Sequence, residues 1–464
     1  MPNSHRRLSS AVLGVALLGV LAACAPGTGQ APTTASSASP TSSTASEAPS
    51  GVNTDIAGVG DVTLTVWDQE VRGGQNEQVE KLNASFQAKY PNVKINRVSQ
   101  SFDDLATTLR LALTGPDAPD VVQANNGRNT MGAFVEAGQL IPLDEYAKAY
   151  GWNERFSPSI LKFSTYSADA KVFGEGNLYG VPQVGEVVGV FYSKSKLAKL
   201  KLDVPQDWAG FEDALAKAKA AGETPLMLGN IDKWPAIHVF GPLQGSTVPA
   251  DQVTALALGN AGASWKTPEN EAAAKTLQDW VKDGYFNNGV NGADYDQTWQ
   301  KMTKGEGVFL IGGSWLAADM GDVMGDDLGF FVPANAAGRY ATTGGTGLPF
   351  AVTSASKHPD VAAAYLDWLT SDDAMQVLVD TGNLPVNRTA ELASATSGAL
   401  AEVFTEFGKV TDEGDVLPYL DYATPTFSDT LGTALQGLID GQLTPAAFTE
   451  ALEADYSAFV ASNA

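Results

Sequence analysis

Polar and aromatic residues gather at the points where the predicted strands of this chain end. "WDQE" (Trp67–Glu70) closes the first strand, "NN" (Asn125 and Asn126) follows the third, and "GGSW" (312–315) follows a later one. Carboxylate and amide groups can form paired hydrogen bonds with a ligand, and an indole ring can cover an apolar surface. Side chains of these types at neighbouring strand ends favour noncovalent binding.

A single carboxylate interrupts the otherwise apolar segment "QVGEVVGVFY" (183–192). Burying Glu186 there would cost on the order of several kcal/mol unless a partner satisfied its charge. Glu186 is therefore the sharpest polar candidate for a binding residue. The alternative is a solvated carboxylate at the surface.

Alternating strand and helix patterns must position these residues. "VTLTVWD" (62–68) predicts a strand, "NEQVEKLNASFQAKY" (76–90) a helix and "NVKINRV" (92–98) the next strand. The alternation returns between "DWAGFEDALAKAKAAG" (207–222) and "EGVFLIGG" (306–313). Such βαβ order predicts an α/β fold with parallel sheets and right-handed crossovers. Ligands bind outside the carboxyl ends of strands in these sheets, where the candidates lie.

The N-terminus resembles a bacterial lipoprotein signal. Arg6 and Arg7 precede an apolar run (about 11–23) that is too short to span a membrane comfortably. "LAAC" (21–24) resembles the lipobox, in which cleavage precedes a cysteine whose sulfur is acylated. We therefore expect a signal peptide over residues 1–23 and lipidation of Cys24. The alternatives are an ordinary secretory signal with a chance cysteine, or a buried thiol.

A tether is predicted over residues 24–60, which are mostly Ala, Ser, Thr, Pro and Gly. The segment has too few large apolar side chains for their burial to offset the entropy lost on ordering. It is therefore expected to be disordered. Its root-mean-square span is on the order of 30 Å. The roughly 400 residues that follow suit two lobes.

The composition excludes several classes of partner. The formal net charge of −24 opposes binding of nucleic acid and of anionic lipid, but not of an uncharged ligand. The sequence has three histidines, and its one cysteine is expected to be acylated, so we expect neither a His/Cys metal site nor a cofactor. No thiol remains for a disulfide, so stability is expected to come from the core.

Five motifs in order resemble the carbohydrate-binding family of extracellular solute-binding proteins of ABC importers, which includes maltose-binding protein. They are "PDVV", "LYGVPQVGEVVGVFYSKSKL", "VPQDWAGFEDALAKAK", "KMTKGEGVFLIGGSW" and "TTGGTGLPFAVTSASKHPDVAAAYLDWL". The resemblance covers the chain from about residue 61 onward. It implies an α/β fold of periplasmic-binding-protein type II, in which two discontinuous Rossmann-like lobes are joined by crossover strands and the ligand lies in the cleft.

The resemblance also implies where the lobes divide. The N-terminal lobe would comprise residues 61–186 and 333–395, and the C-terminal lobe residues 187–332 and 396–464. The chain would cross between them near Glu186–Gly189, Phe330–Pro333 and residue 395.

The family supplies roles for some of the candidates. Trp315 matches a sugar-stacking tryptophan, Trp234 matches another cleft aromatic, and Glu186 matches a glutamate that accepts hydrogen bonds from hydroxyls. Further candidates lie at the strand ends, at two glycines near the hinge and on the expected C-terminal wall: Trp67, Asp68, Gln69, Glu70, Arg72, Asn125, Asn126, Gly344, Gly345, Tyr419, Tyr422 and Asp429. About two of the four polar residues between 68 and 72 are expected to touch ligand.

Structural roles compete with binding for several of these residues. Trp67 could as easily pack into a core. Asn125 and Asn126 could close their strand in an Asx turn. Gly344 and Gly345 could satisfy a turn with positive φ.

Three functions stay open. The leading one is a lipid-anchored, monomeric binding protein, not an enzyme, on the extracytoplasmic face of the cell membrane. It would capture a neutral sugar or oligosaccharide by hinge closure and deliver it to ABC permease subunits. A secreted glycoside hydrolase is the rival, but it needs two carboxylates facing across one bond, and the sequence offers no such pair. The third keeps the fold and changes the ligand to a peptide, polyol or ion.

Overall fold

Two mixed sheets, a two-stranded antiparallel sheet and the surrounding helices form the part of the chain that the computed structural model describes, residues 51–463. The predicted signal peptide, Cys24 and most of the predicted tether lie outside these residues. The strands are β1 (Val62–Asp68), β2 (Val93–Ser99), β3 (Val121–Gln123), β4 (Thr165–Tyr166), β5 (Asn177–Leu178), β6 (Gly185–Ser193), β7 (Leu226–Met227), β8 (Phe309–Gly313), β9 (Leu328–Phe331), β10 (Ala341–Thr346), β11 (Phe350–Val352) and β12 (Asp415–Leu417).

The helices cover the sheets, and several begin at a capping side chain. They are α1 (Gly73–Lys89), α2 (Phe102–Ala112), α3 (Ala133–Glu136), α4 (Asp144–Tyr150), α5 (Trp152–Arg155), α6 (Pro158–Leu161), α7 (Lys194–Leu200), α8 (Trp208–Ala220), α9 (Pro235–Thr247), α10 (Ala250–Ala257), α11 (Pro268–Lys282), α12 (Tyr295–Thr303), α13 (Ala317–Met324), α14 (Pro359–Leu369), α15 (Asp372–Asp380), α16 (Thr389–Leu392), α17 (Gly398–Glu413), α18 (Phe427–Ile439) and α19 (Pro445–Asn463). Ser101, Asp207, Thr267 and Ser371 each accept a hydrogen bond from a first-turn N–H, which fixes the starts of α2, α8, α11 and α15. Within residues 51–463, no helix has the length and apolar character needed to cross a membrane.

The first sheet confirms the predicted βαβ order. Its strand order is β11-β3-β1-β2, and β1 runs parallel to both β2 and β3. The edge strand β11, which comes from much later in the chain, pairs antiparallel with β3. The carboxyl ends of β1 and β3 therefore point to the same edge of this sheet.

The second sheet departs from the predicted parallel arrangement. Its order is β12-β10-β6-β8-β7, with β9 also paired to β6. The long strand β6 runs antiparallel to β8, β9 and β10, whereas β7 and β8 are parallel. The chain enters β6 directly from the first half of the molecule and not through a βαβ crossover, so the handedness rule that enforces parallel neighbours does not apply to it.

Strand β10 joins the start of β6 before the chain returns to the first sheet. It pairs Gly344 with Val187 and Gly345 with Glu186, at the expected crossing between the lobes. The chain then passes into β11, which belongs to the first sheet. The crossings and lobe boundaries that the resemblance implies stay predictions.

Folded structure also begins earlier than predicted. Residues 56–59, inside the expected tether, form a 3-10 turn in which Ile56 is buried. The amide nitrogen of Asn92 donates to the carbonyls of Ile56 and Gly60 at 2.9 Å each. Burial of Ile56 and two hydrogen bonds from Asn92 therefore help to order the end of a segment whose composition predicts disorder.

The core lies on both faces of the two sheets. Along β6, Val188 and Val190 join one apolar cluster, whereas Val187 and Phe191 join the other. This alternation is the pattern of a strand covered on both faces, since successive side chains point to opposite sides of a sheet. The strand ends are thereby held at fixed positions by packing from both faces.

Candidate functional site

A cavity of about 670 Å³, partly open to solvent, lies beside β6 at the ends of β1, β3 and β8. Segments that follow strands of both sheets contribute to it, as expected for α/β proteins. Its lining residues are Gln69, Arg72, Gln75, Phe102, Asn125, Glu186, Trp234, Ile237, His238, Trp315, Thr346, Leu348, Tyr419, Asp421 and Tyr422.

Four rings form one side of the cavity, which we call the aromatic wall: Trp234, His238, Trp315 and Tyr419. The imidazole of His238 lies at its centre, with ring centroids 5.5 Å from Trp234, 5.0 Å from Trp315 and 5.3 Å from Tyr419. All three contacts are edge-on, the geometry that aromatic quadrupoles prefer. Such a wall can cover the apolar face of a ligand.

Local sequence positions both tryptophans of the aromatic wall. Pro235 occupies the first turn of α9 and fixes the approach of Trp234 to the helix. A side chain at Gly313 would collide with the ring of Trp315, so this glycine makes room for the indole. The indole N–H of Trp315 donates to the Tyr295 hydroxyl at 3.0 Å, which fixes the ring's orientation.

Two half-buried carboxyl groups, those of Glu186 and Asp421, line the same space. Burial raises the pKa of Glu186 to about 7, although the Tyr419 hydroxyl, which donates to its Oε2 at 2.8 Å, acts in the opposite direction. Burial likewise raises the pKa of Asp421 to about 6. Near pH 7 the Glu186 carboxyl is therefore divided between its neutral and ionised forms, and it can both donate and accept hydrogen bonds.

The acids after β1 are bound by neighbouring side chains, although the buried Oε2 of Glu70 has no partner among the described residues. Arg97 donates to both carboxylate oxygens of Asp68 at 2.7 Å. One oxygen of Glu70 accepts from Gln123 at 2.8 Å and from Gln69 at 3.1 Å. Both acids are buried, and neither lines the cavity.

Two other residues of the predicted cluster do line the cavity. Gln69 and Arg72 come from the same segment after β1. The guanidinium of Arg72 is bound to the carboxylate of Asp296, with Nη2 3.0 Å and Nε 3.2 Å from Oδ1. Its charge is therefore neutralised by α12 and is not free for an anionic ligand.

The two asparagines after β3 separate in the structure. Asn125 lines the cavity, whereas Asn126 is fully buried. The Asn126 amide donates to the Phe163 carbonyl at 2.6 Å and accepts from the Tyr422 hydroxyl at 3.3 Å. Asn126 thus joins distant segments and does not close a local Asx turn with its side chain.

The glycines of β10 serve close strand pairing. A side chain on Gly344 would come within 2.5 Å of the Glu186 carbonyl oxygen, and Gly345 has a φ of +114°. Neither glycine lines the cavity, but the next residue, Thr346, does. The glycines therefore set the backbone beside Glu186.

Of the remaining candidates, some line the cavity and others do not. Tyr419 and Tyr422 line the cavity. Asp429 lies at a neighbouring cavity, with its side chain 91% exposed and 3.7 Å from Lys233. Trp67 is half-buried and packs against the core. Contact of any candidate with a ligand stays a prediction.

Sequence reasoning missed His238 and Asp421, which both line the cavity. One available signal was helical spacing, because His238 follows Trp234 by four residues and such pairs share a helix face. Asp421 lies between two tyrosines that were already candidates. Neither signal was decisive, because the sequence does not show which face of each segment meets the cavity.

A family model described as bacterial extracellular solute-binding protein matches residues 70–376. This chain belongs to that family. Among curated members, the multiple sugar-binding protein of Streptococcus mutans is 23% identical over 333 residues, which are 70% of this chain and 75% of the relative. The maltodextrin-binding protein MdxE of Bacillus subtilis is 25% identical over 342 residues, 71% of this chain and 75% of the relative.

Solved structures of solute-binding proteins share the fold. A chitin oligosaccharide binding protein aligns with a TM-score of 0.72 at 22% identity, covering 86% of this chain and 99% of its own. The GacH receptor of Streptomyces glaucescens, solved with and without acarbose, aligns with a TM-score of 0.69 at 21% identity and the same coverage. RafE in complex with raffinose gives 0.66 at 18% identity, again covering 86% and 99%. The two-lobed type II architecture is thereby established for this chain.

Proposed function

We propose that this solute-binding protein captures an uncharged saccharide in the cavity beside β6 without altering it. The observation that carries the proposal is a single cavity whose lining combines the aromatic wall with Glu186, Asp421 and Asn125. A sugar has an apolar C–H face, which an aromatic surface can cover, and hydroxyls, which planar polar groups can bind. The names of the relatives, which refer to sugars, maltodextrin and raffinose, support the same class.

The charges of the lining residues favour an uncharged ligand. Arg72 is the one lysine or arginine among these residues, and Asp296 already neutralises it. Glu186 and Asp421 would repel an anion when ionised. A sugar phosphate or a uronic acid would therefore bind more weakly than the matching neutral sugar.

The ligand is proposed to favour a closed arrangement of the two lobes. Arg72 follows β1 of the first sheet, whereas Asp296 lies on α12 near the second, and their ion pair joins the two sides next to the cavity. A saccharide shifts the equilibrium between open and closed forms only by its difference in affinity for them. Closure would present one surface to the permease.

Lipid anchoring and delivery complete the proposal. Acylation of Cys24 would hold the protein at the extracytoplasmic face of the membrane, within reach of ABC permease subunits. Mass spectrometry of the membrane-bound protein should show a diacylglycerol-modified N-terminal cysteine. A Cys24→Ser variant that stayed on the membrane, processed as the wild type, would contradict the anchor.

Calorimetric titration of the full chain tests the saccharide assignment. Galactose, maltotriose, raffinose and xylotriose are the probes, with an amino-acid mixture and inorganic phosphate as controls. We expect at least one saccharide to bind with a micromolar dissociation constant, about −8 kcal/mol. Heat from the controls alone would overturn the assignment. Steady release of new reducing ends from an oligosaccharide would favour a hydrolase instead.

A further inference from the structure

His238 sits in the aromatic wall with both ring nitrogens free of hydrogen bonds to the described residues. Its Nδ1 is buried and has no partner there. The residue nevertheless lines the cavity, and part of its surface is accessible. The ring edge opposite Nδ1, which carries Nε2, is therefore the edge that meets the cavity.

Burial of one nitrogen selects the tautomer. A neutral imidazole carries one N–H and one lone pair. A buried N–H without a partner is rarer in proteins than an underused acceptor. The proton therefore belongs on Nε2, which leaves the lone pair on the sealed Nδ1.

The surroundings of His238 keep the ring neutral. Burial lowers its pKa to about 3. Helix α9 has no Asp, Glu, Lys or Arg, and His238 lies near its positive N-terminal end. Facing the ring from other elements are Trp315 and Tyr419, and the Tyr419 hydroxyl is bound to Glu186.

The other donors of the aromatic wall are already used or buried. The Trp315 indole N–H is bound to Tyr295, and the Tyr419 hydroxyl is bound to Glu186. The Trp234 indole N–H is buried. A saccharide offers ether oxygens that can only accept, and an N–H on the wall would serve one of them.

We propose that His238, as the Nε2–H tautomer, donates a hydrogen bond to an oxygen of the bound saccharide. This inference rests on the proposed function. It makes His238 a binding residue of the aromatic wall and not a spacer between the rings. Phe at this position would keep the packing and remove the donor.

Imidazole nitrogen NMR tests the first half of the inference without any ligand. The sequence contains three histidines, so the spectra are simple, and His238→Gln assigns the signal. We expect the chemical shifts of the Nε2–H tautomer, unchanged between pH 5 and 8. A protonated Nδ1, or titration near the ordinary histidine value, would overturn the inference.

Affinity measurements test the second half. The probe is whichever of galactose, maltotriose, raffinose and xylotriose binds the wild type most tightly. His238→Phe should weaken binding about 3- to 10-fold, the value of one hydrogen bond, whereas His238→Gln, which retains an N–H, should stay within about twofold. The matched control, His358→Gln, changes an exposed histidine at the start of α14 and should leave affinity unchanged.

The outcomes separate this inference from the proposed function. Equal affinity of wild type and His238→Phe would overturn the donor role while leaving saccharide binding intact. Equal losses in His238→Phe and His238→Gln would show that ring shape matters and not the N–H, which also overturns it. Binding of none of the four saccharides would remove the proposed function and this inference with it. Near-ultraviolet circular dichroism of each variant verifies the fold.

Discussion

The segment after β1 and the aromatic wall lie beside the same cavity, but their polar groups are satisfied to different degrees. After β1, Arg97 binds both carboxylate oxygens of Asp68, and Gln123 and Gln69 bind one oxygen of Glu70, whose other oxygen has no partner among the described residues. On the aromatic wall, the Trp315 and Tyr419 donors are bound, but neither ring nitrogen of His238 has a partner among those residues. The charged region is thus largely completed by the protein, whereas Nε2 of His238 is left for a ligand.

The two buried acids show that a position at a strand end does not by itself identify a binding residue. A buried ionised carboxylate must find a partner when the protein folds, because its desolvation cost is otherwise too high. Acids close to a cavity are therefore often paired with other side chains of the protein. Weakly polar aromatic residues tolerate missing hydrogen-bond partners, so their polar atoms can remain unpaired until a ligand binds.

Asp68→Asn tests the claim that the first region is structural, and we expect it to have the largest effect. It would leave the Arg97 guanidinium, whose side chain is 13% exposed, without its carboxylate. Breaking a buried pair in this way costs about 3–5 kcal/mol. Denaturant unfolding should show that loss, while saccharide affinity of the folded variant stays within about twofold.

The matched control for Asp68→Asn is Asp213→Asn, which removes an exposed helix pair with Lys217. Its free energy of unfolding should change by less than about 0.5 kcal/mol. A stable Asp68→Asn protein that no longer bound saccharide would reverse the comparison and place Asp68 in the site.

Glu186→Gln tests the electrostatics of the cavity through pH. The folded pKa of Glu186, about 7, exceeds the ordinary glutamate value of 4.5. Between these values the folded state keeps a proton that the unfolded state has lost, so wild-type stability falls as pH rises. The loss is complete above about pH 7 and amounts to at most about 3 kcal/mol.

The glutamine variant should lack that part of the pH dependence. Unfolding free energies measured from pH 4 to 8 should converge at low pH and separate at high pH, with the variant more stable. Asp421, whose pKa is also raised by burial, titrates in the same direction in both proteins and cancels in the difference. Parallel profiles would show that Glu186 is solvated or fully paired.

The fold could be predicted further than the site. Strands β1, β2 and β3 follow from apolar alternation and from the helices between them, which are local properties. The antiparallel direction of β6 could not be predicted, because it depends on where the chain enters the second sheet. The predicted end of the tether was wrong for a related reason, because Ile56 is ordered by Asn92, a partner distant in sequence.

The sequence predicted the cavity residues best where the residue type and its immediate neighbours leave few possible roles for the side chain. Trp315 and Glu186 line the cavity as expected, because a tryptophan after paired glycines and a carboxylate inside an apolar strand have few alternatives. Asp68 and Asn126 had partners that no local pattern reveals. His238 was missed because its role depends on three rings from separate segments.

Trp315→Ala tests whether the aromatic wall contributes to binding of the saccharide. Truncating a central aromatic anchor of an interface costs about 2 kcal/mol or more, which is roughly a 30-fold loss of affinity. Calorimetry with the tightest-binding saccharide measures it. Trp67→Ala is the matched control, and it should lower stability but leave affinity unchanged, because Trp67 packs against the core. Equal effects of the two variants on affinity would contradict the assignment of the wall.

Asp429→Asn should have the smallest effect, and it decides how far the site extends. Asp429 is 91% exposed, and its contact with Lys233 at 3.7 Å is a surface pair, so stability should change by less than about 0.5 kcal/mol. It lies at a second cavity that shares Phe102, Trp234 and Asp421 with the first. If the saccharide fills the first cavity alone, maltotriose and galactose affinities should both be unchanged. A loss confined to maltotriose would mean that a longer ligand reaches past Trp234, and the exposed acids would then join the binding surface.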